Sequence, residues 1–196
     1  MAHATTARVL ATPLRGTVAR DAALVLAATA FIAASAQVAI PLPFSPVPLT
    51  GQTFAVLLTG ATLGASLGTA SAALYLSLAL AGLPVLAPTA DGVHVTGAAL
   101  FGHPTLGYLA GFIVASHLVG RLAERGFTRT PVRVAAAMAT GNVAIYTLGL
   151  LWLGVVTGGT LAQVLSWGLL PFLLGDIVKV VLAAGLLPAA WALAKR

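Results

Sequence analysis

The stretch TFAVLLTGATLGASLGTASAALYLSLALAGL, residues 53–83, holds 31 consecutive positions without a charged side chain. As one helix it would run about 46 Å at 1.5 Å per residue. That overshoots a bilayer hydrocarbon core of about 30 Å. Two shorter helices that turn back near Gly64–Gly68 fit the thickness better, which predicts one helix over 53–64 and another over 67–82. The first of them is too short to cross alone and must be extended, tilted or partly re-entrant. Gly60, Gly64 and Gly68 follow one another at four-residue spacing, which reads as a tight turn with close packing around it.

Working outward, no Lys, Arg, Asp or Glu occurs between Asp21 and Asp91, and none between Arg133 and Asp176. The whole chain of 196 residues is 59% hydrophobic and 7% charged, with a mean hydropathy of +1.02. Soluble domains average about 25% charged residues, so a water-soluble globule is excluded, and so is disorder, which needs low hydrophobicity and high charge. With 21 Gly, 11 Pro and no heptad pattern, a coiled coil does not fit either. What remains is an all-α integral membrane protein with one membrane domain over 21–196, preceded by a segment 1–20. The chain has no cysteine, which removes disulfides, thiolate metal sites and a cysteine nucleophile.

The remaining helices are expected over 21–40, 105–122, 132–156 and 168–193. Pro41-Leu42-Pro43-Phe44-Ser45-Pro46-Val47-Pro48 cannot be helix interior, because each proline removes a donor and restricts its predecessor. Such backbone must lie in water or on protein. Residues 84–104 read as a long loop, and Thr157-Gly158-Gly159-Thr160 breaks the chain. The basic residues cluster at Arg8, Arg15 and Arg20, then at Arg121, Arg125, Arg129 and Arg133, then at Lys195 and Arg196, with Lys179 apart. Six spans put all three clusters on one face, and five do not. That face is then cytoplasmic, with both termini on it. Arg8, Arg15 and Arg20 ahead of an apolar run that ends in Ala34-Ser35-Ala36 also resemble a cleaved signal or an organellar transit segment. The charge parity needs that segment retained as the first helix. Trp167 and Trp191 stand near opposite ends of the last helix, as interface aromatics do.

Asp176 and Lys179 are the chemically informative pair. They lie at i, i+3 on one face of the last helix, the aspartate about 12 Å from its start. Each charge costs about 2.5–3.5 kcal/mol at a membrane helix centre. They read as a ligand site that offers an anionic acceptor beside a cationic donor, or as a self-neutralising pair that sets helix packing. Thr50 and Gln52, where the Pro-rich loop enters the next helix, either cap it or touch a ligand. Tyr108 is an interface aromatic or a pocket wall. Ala23/Ala27 and Ala30/Ala34 form a small-residue face on the first helix, suited to close approach of another helix. Gly64-Ala65-Ser66-Leu67-Gly68 matches a nucleophile-elbow pattern, but that pattern needs a strand before the turn, so no catalytic residue is expected. His94, His103 and His117 lack paired metal spacing, and no Walker motif is present.

Ile40-Pro41-Leu42-Pro43, Pro46-Val47-Pro48-Leu49-Thr50-Gly51-Gln52-Thr53, Gly82-Leu83-Pro84-Val85, Pro104-Thr105-Leu106-Gly107-Tyr108 and Pro171-Phe172-Leu173-Leu174-Gly175-Asp176-Ile177-Val178-Lys179 together resemble BioY, the biotin-specific S components of energy-coupling-factor transporters. The resemblance covers about residues 20–190. It implies a six-transmembrane-helix bundle in the cell membrane with cytoplasmic termini, high-affinity biotin capture rather than catalysis, and biotin as transported ligand with no cofactor and no metal. It implies that Asp176 receives the ureido N–H groups and that Lys179 meets the ligand's polar end. Thr50, Gln52 and Tyr108 are the further candidate contacts of such a site. It further implies that the Ala face of the first helix docks a transmembrane coupling subunit that carries two ABC-type ATPases. An S component for another small vitamin, or a structural membrane subunit, are the alternatives. Two features depart from the family's usual pattern: His103 and Leu106 flank Pro104-Thr105 where glycines are usual, and Ser66 stands at a turn that often carries a basic residue.

Overall fold

The computed structural model describes residues 9–14 and 16–194. Arg8, Arg15, Lys195 and Arg196, members of two of the three basic clusters, lie outside the described residues. Among the described residues there are six α-helices: α1 (Val18–Gln37), α2 (Gln52–Leu80), α3 (Leu106–Glu124), α4 (Pro131–Thr157), α5 (Leu161–Gly168) and α6 (Leu170–Ala194). Two-residue strands β1 (Ala39–Ile40) and β2 (Leu49–Thr50) pair antiparallel, with Ala39 opposite Thr50 and Ile40 opposite Leu49. They close the Pro-rich segment into a loop above the end of α1.

The stretch that begins at Thr53 folds back on itself. Two helices abut in it, and Gly64 between them has φ +84° and ψ 179°, a region open essentially to glycine alone. Gln52 Nε2 donates to the Tyr75 hydroxyl at 2.7 Å across 23 residues, which in a straight helix would separate them by about 34 Å. The chain therefore reverses at a single residue, within the expected Gly64–Gly68 turn and tighter than it. Two segments, 52–63 and 65–80, run side by side. A Cβ added to Gly68 would lie 2.9 Å from Gly60 Cα, and one on Gly60 would lie 2.5 Å from the Ser116 carbonyl oxygen. Both glycines are thus required by contact. Glu124, at the end of α3, accepts the Ala65 N–H at 3.0 Å with Oε1 and pairs with Arg121 through Oε2 at 3.3 Å. A carboxylate there satisfies a first-turn donor of the second segment and complements its dipole.

Counted by length and apolarity, five helical stretches can cross a membrane, with Gln52–Leu80 as one and α5–α6 as one. The reversal at Gly64 divides the former in two, so the bundle has six helical stretches when α5 and α6 are counted together. α2 packs between α1 and α3, α3 packs on α4, and α4 on α6. The α3–α4 contact is close: a Cβ on Gly111 would fall 2.8 Å from Ile145 Cα, and one on Gly107 would fall 2.3 Å from Trp152 Cβ. The outer surface is apolar where no helix covers it, with Leu151 and Val155 of α4 and Leu174, Ile177, Val181 and Leu182 of α6 exposed. That is a surface suited to lipid.

Several sequence expectations need correction. α1 ends at Gln37, not at Pro41, because Ala39–Ile40 pair with Leu49–Thr50 instead. Residues 157–167 are not all irregular. Thr160 and Gln163 form a reciprocal capping box that starts α5. α6 consequently begins at Leu170, and Asp176 lies only about 9 Å into it. Trp191 is not a lipid-facing anchor. It is buried, donates from Nε1 to Thr128 Oγ1 at 3.0 Å, and lies under the Arg129 guanidinium at 5.0 Å. Trp167 belongs to α5 and packs against the core. The boundary drawn at residue 20 falls inside α1. Upstream of α1, Val9 and Ala11 are buried, and Ala11 N–H donates to the Thr62 carbonyl at 3.1 Å beside the reversal.

Candidate ligand-binding site

Asp176 and Lys179 meet at 3.2 Å, with side-chain exposures of 7% and 19%. Two further helices fix the pair. From α2, Thr53 Oγ1 accepts from Lys179 Nζ at 2.7 Å and lies 3.5 Å from Asp176 Oδ1. From α4, the Tyr146 hydroxyl donates to Asp176 Oδ2. Two charges taken out of water need such partners, since mutual attraction alone seldom offsets their desolvation. Tyr146 meets Tyr108 edge-on at 6.5 Å, and the Tyr108 hydroxyl donates to the Gly168 carbonyl at 2.9 Å. The ring of Tyr108 fits because Gly149 offers no Cβ there: one would fall 2.4 Å from the ring.

These groups border a cavity of about 250 Å³, just below the 300–1,000 Å³ usual for small-molecule pockets. Asp176 and Lys179 supply its charge. Leu109, Phe112, Ile145 and Phe172 supply apolar wall, and the Pro41–Pro48 loop and residues 86–90 border it as well. The loop is anchored by Ser45 Oγ, which donates to the Trp167 carbonyl at 2.7 Å. Residues 83–86 are held from two sides. Tyr75 donates to the Val85 carbonyl at 3.1 Å, and Gln37 Nε2 reaches the Val85 and Leu86 carbonyls at 3.4 Å.

All five residues singled out for ligand contact, Thr50, Gln52, Tyr108, Asp176 and Lys179, border this one cavity. Gln52 is buried. Its Oε1 accepts from Thr50 Oγ1 at 2.9 Å while Nε2 donates to Tyr75. Tyr108 is a cavity wall rather than an interface aromatic. Ala23, Ala27, Ala30 and Ala34 lie elsewhere, all exposed on the outer face of α1. The sequence reading missed Thr53 and Tyr146. Asn142 and Tyr146, at i and i+4 on one face of a mostly apolar helix, were the signal available.

His103 also borders the cavity. His103 Nδ1 lies 2.8 Å from Thr105 Oγ1 and 3.4 Å from the Thr105 backbone nitrogen. Burial pushes its pKa below the usual histidine value.

A membrane-embedded helix bundle with a closed-in polar pair beneath two loops defines a solute-binding membrane protein. A sequence model of the BioY family matches residues 4–196, and the chain belongs to that family. The biotin transporter BioY of Rhizobium etli is 36% identical over 152 residues, covering 74% of this chain and 78% of that one. The biotin transporter BioY of Thermotoga maritima is 38% identical over 156 residues, covering 80% and 86%. A crystal structure of the S-component for biotin from an ECF-type ABC transporter superposes with a TM-score of 0.75 at 27% identity, covering 89% of this chain and 94% of that one.

Proposed function

We propose that this chain is the biotin-capturing S component of an importer in the cell membrane, that it binds rather than transforms its ligand, and that the cavity above Asp176 and Lys179 is its biotin site. The observation that carries the site assignment is that a charge pair held by Thr53 and Tyr146 borders a mainly apolar cavity of ligand size. A carboxylate can accept two N–H groups, as a cyclic urea presents them, and an ammonium can meet a carboxylate. An analogue lacking either group would leave a desolvated charge unpaired, which is expensive. Membership of the BioY family supports the choice of ligand.

Sidedness follows from charge. Arg121 and Arg125 lie at the end of α3 remote from Tyr108, about 20–25 Å away along the helix. If the basic end is cytoplasmic, the cavity faces out, where a scarce vitamin must be caught. The exposed Ala23, Ala27, Ala30 and Ala34 face offers a coupling subunit a close-approach surface. That subunit would link the chain to a pair of ABC-type ATPases.

The test is calorimetric titration of detergent-purified protein with biotin, alongside Asp176→Asn and Lys179→Ala. Saturable binding in the wild type, weakened at least about tenfold in both variants, is expected. Folded wild-type protein that gives neither heat nor a thermal shift with biotin would overturn biotin capture. Wild-type affinity in both variants would move the site.

A further inference from the structure

Asn142 stands one turn before Tyr146 on α4, so both side chains share the face turned to Asp176 and Lys179. Its Oδ1 is buried and has no hydrogen-bond partner among the described residues. A buried carbonyl left so is costly and calls for an explanation. Asn142 borders a small void of about 10 Å³ that also touches Thr53, Asp176 and Lys179, with Leu57, Met138 and Val180 as apolar wall. That is the room of a single water molecule, and such a water needs two to four polar partners. Lys179 has three N–H donors. Two of them are taken by Thr53 Oγ1 at 2.7 Å and Asp176 Oδ1 at 3.2 Å.

We propose that this void is a water site and that Asn142 is a positioning residue for Lys179. The water accepts the third N–H of Lys179 and donates one hydrogen to Asn142 Oδ1. Its second hydrogen is available to the Asp176 carboxylate. The ammonium is then held from three directions before any ligand arrives, so that less side-chain freedom is lost on binding. The consequence for affinity rests on the biotin reading; the water site does not.

Two measurements test this. Asn142→Leu keeps the branched shape and removes the acceptor. It should leave the melting temperature of the ligand-free protein near the wild-type value, because the lost water-mediated hydrogen bond is offset by added apolar burial. Biotin affinity should fall about tenfold, and the fall should vanish in a Lys179→Met background. Unchanged affinity in Asn142→Leu, or an equal loss in both backgrounds, would overturn the positioning role. A high-resolution crystal structure of the wild-type protein should show an ordered water within hydrogen-bond reach of both Lys179 Nζ and Asn142 Oδ1. A dry void would overturn the proposal even if the variant failed to fold. A wild-type protein that ignores biotin yet holds this water would instead sink the choice of ligand and spare the water site.

Discussion

Asp176 shows how much a single side chain asks of its neighbours. It spends one oxygen on Tyr146 and the other on Thr53 and Lys179, so a ligand meets a carboxylate already fixed in direction. Tyr146→Phe removes one O–H and little volume. Biotin binding should weaken about tenfold while the ligand-free melting temperature falls only modestly, since a net hydrogen bond to a charged group contributes about 1.5–3 kcal/mol. Calorimetry and a thermal melt on the same sample check both parts. His103 gives a pH effect. Its folded pKa lies below its unfolded value, so between the two the unfolded chain binds more protons and stability rises with pH. The melting temperature should therefore drop as pH falls below about 6.5, and His103→Gln should flatten that drop. An identical slope in the variant would remove the role. Asp176 and Lys179 were readable from the sequence because charge is rare inside a span. Thr53 and Tyr146 were not singled out, because an uncharged hydroxyl in an apolar helix costs little and stands out less.

At the scale of elements, glycine and proline carried most of what could be read. The proline run excluded helix over 41–48, and the glycines placed the reversal in α2. What escaped depended on contacts remote in sequence: the β1–β2 pairing, and the burial of Trp191 against Thr128. α5 escaped for a different reason. Its Thr160–Gln163 capping box is a local signal, overshadowed by the Gly158-Gly159 break beside it. Gly64→Ala should cost about 1–3 kcal/mol from its backbone angles alone, and the added Cβ would also lie 2.9 Å from Glu124 Oε1. A melting temperature equal to wild type would contradict the reversal. On α1, Ala27→Trp should leave biotin affinity intact and reduce co-purification with a coupling subunit. Undiminished co-purification would take the docking face off this helix.

For the whole molecule, the charge-free gaps marked where spans could lie, because a bilayer penalises charge more uniformly than a protein core does, and the parity of the basic clusters chose six. Sidedness rests on the arginines alone, and the absence of cysteine makes it directly measurable. Asp91→Cys in the loop and Arg125→Cys after α3 are both at exposed positions. In intact cells an impermeant thiol reagent should label the first and spare the second. The reverse pattern would invert the orientation and place the cavity inside.

The backbone of Gly64 has a reach far beyond its own turn. Were residues 52–80 threaded through the bilayer once instead of doubled back, every later segment would emerge on the opposite side, the arginines between α3 and α4 included. A nascent chain with a bulky residue at position 64 would be expected to populate both topologies, its two halves disagreeing about which compartment they face.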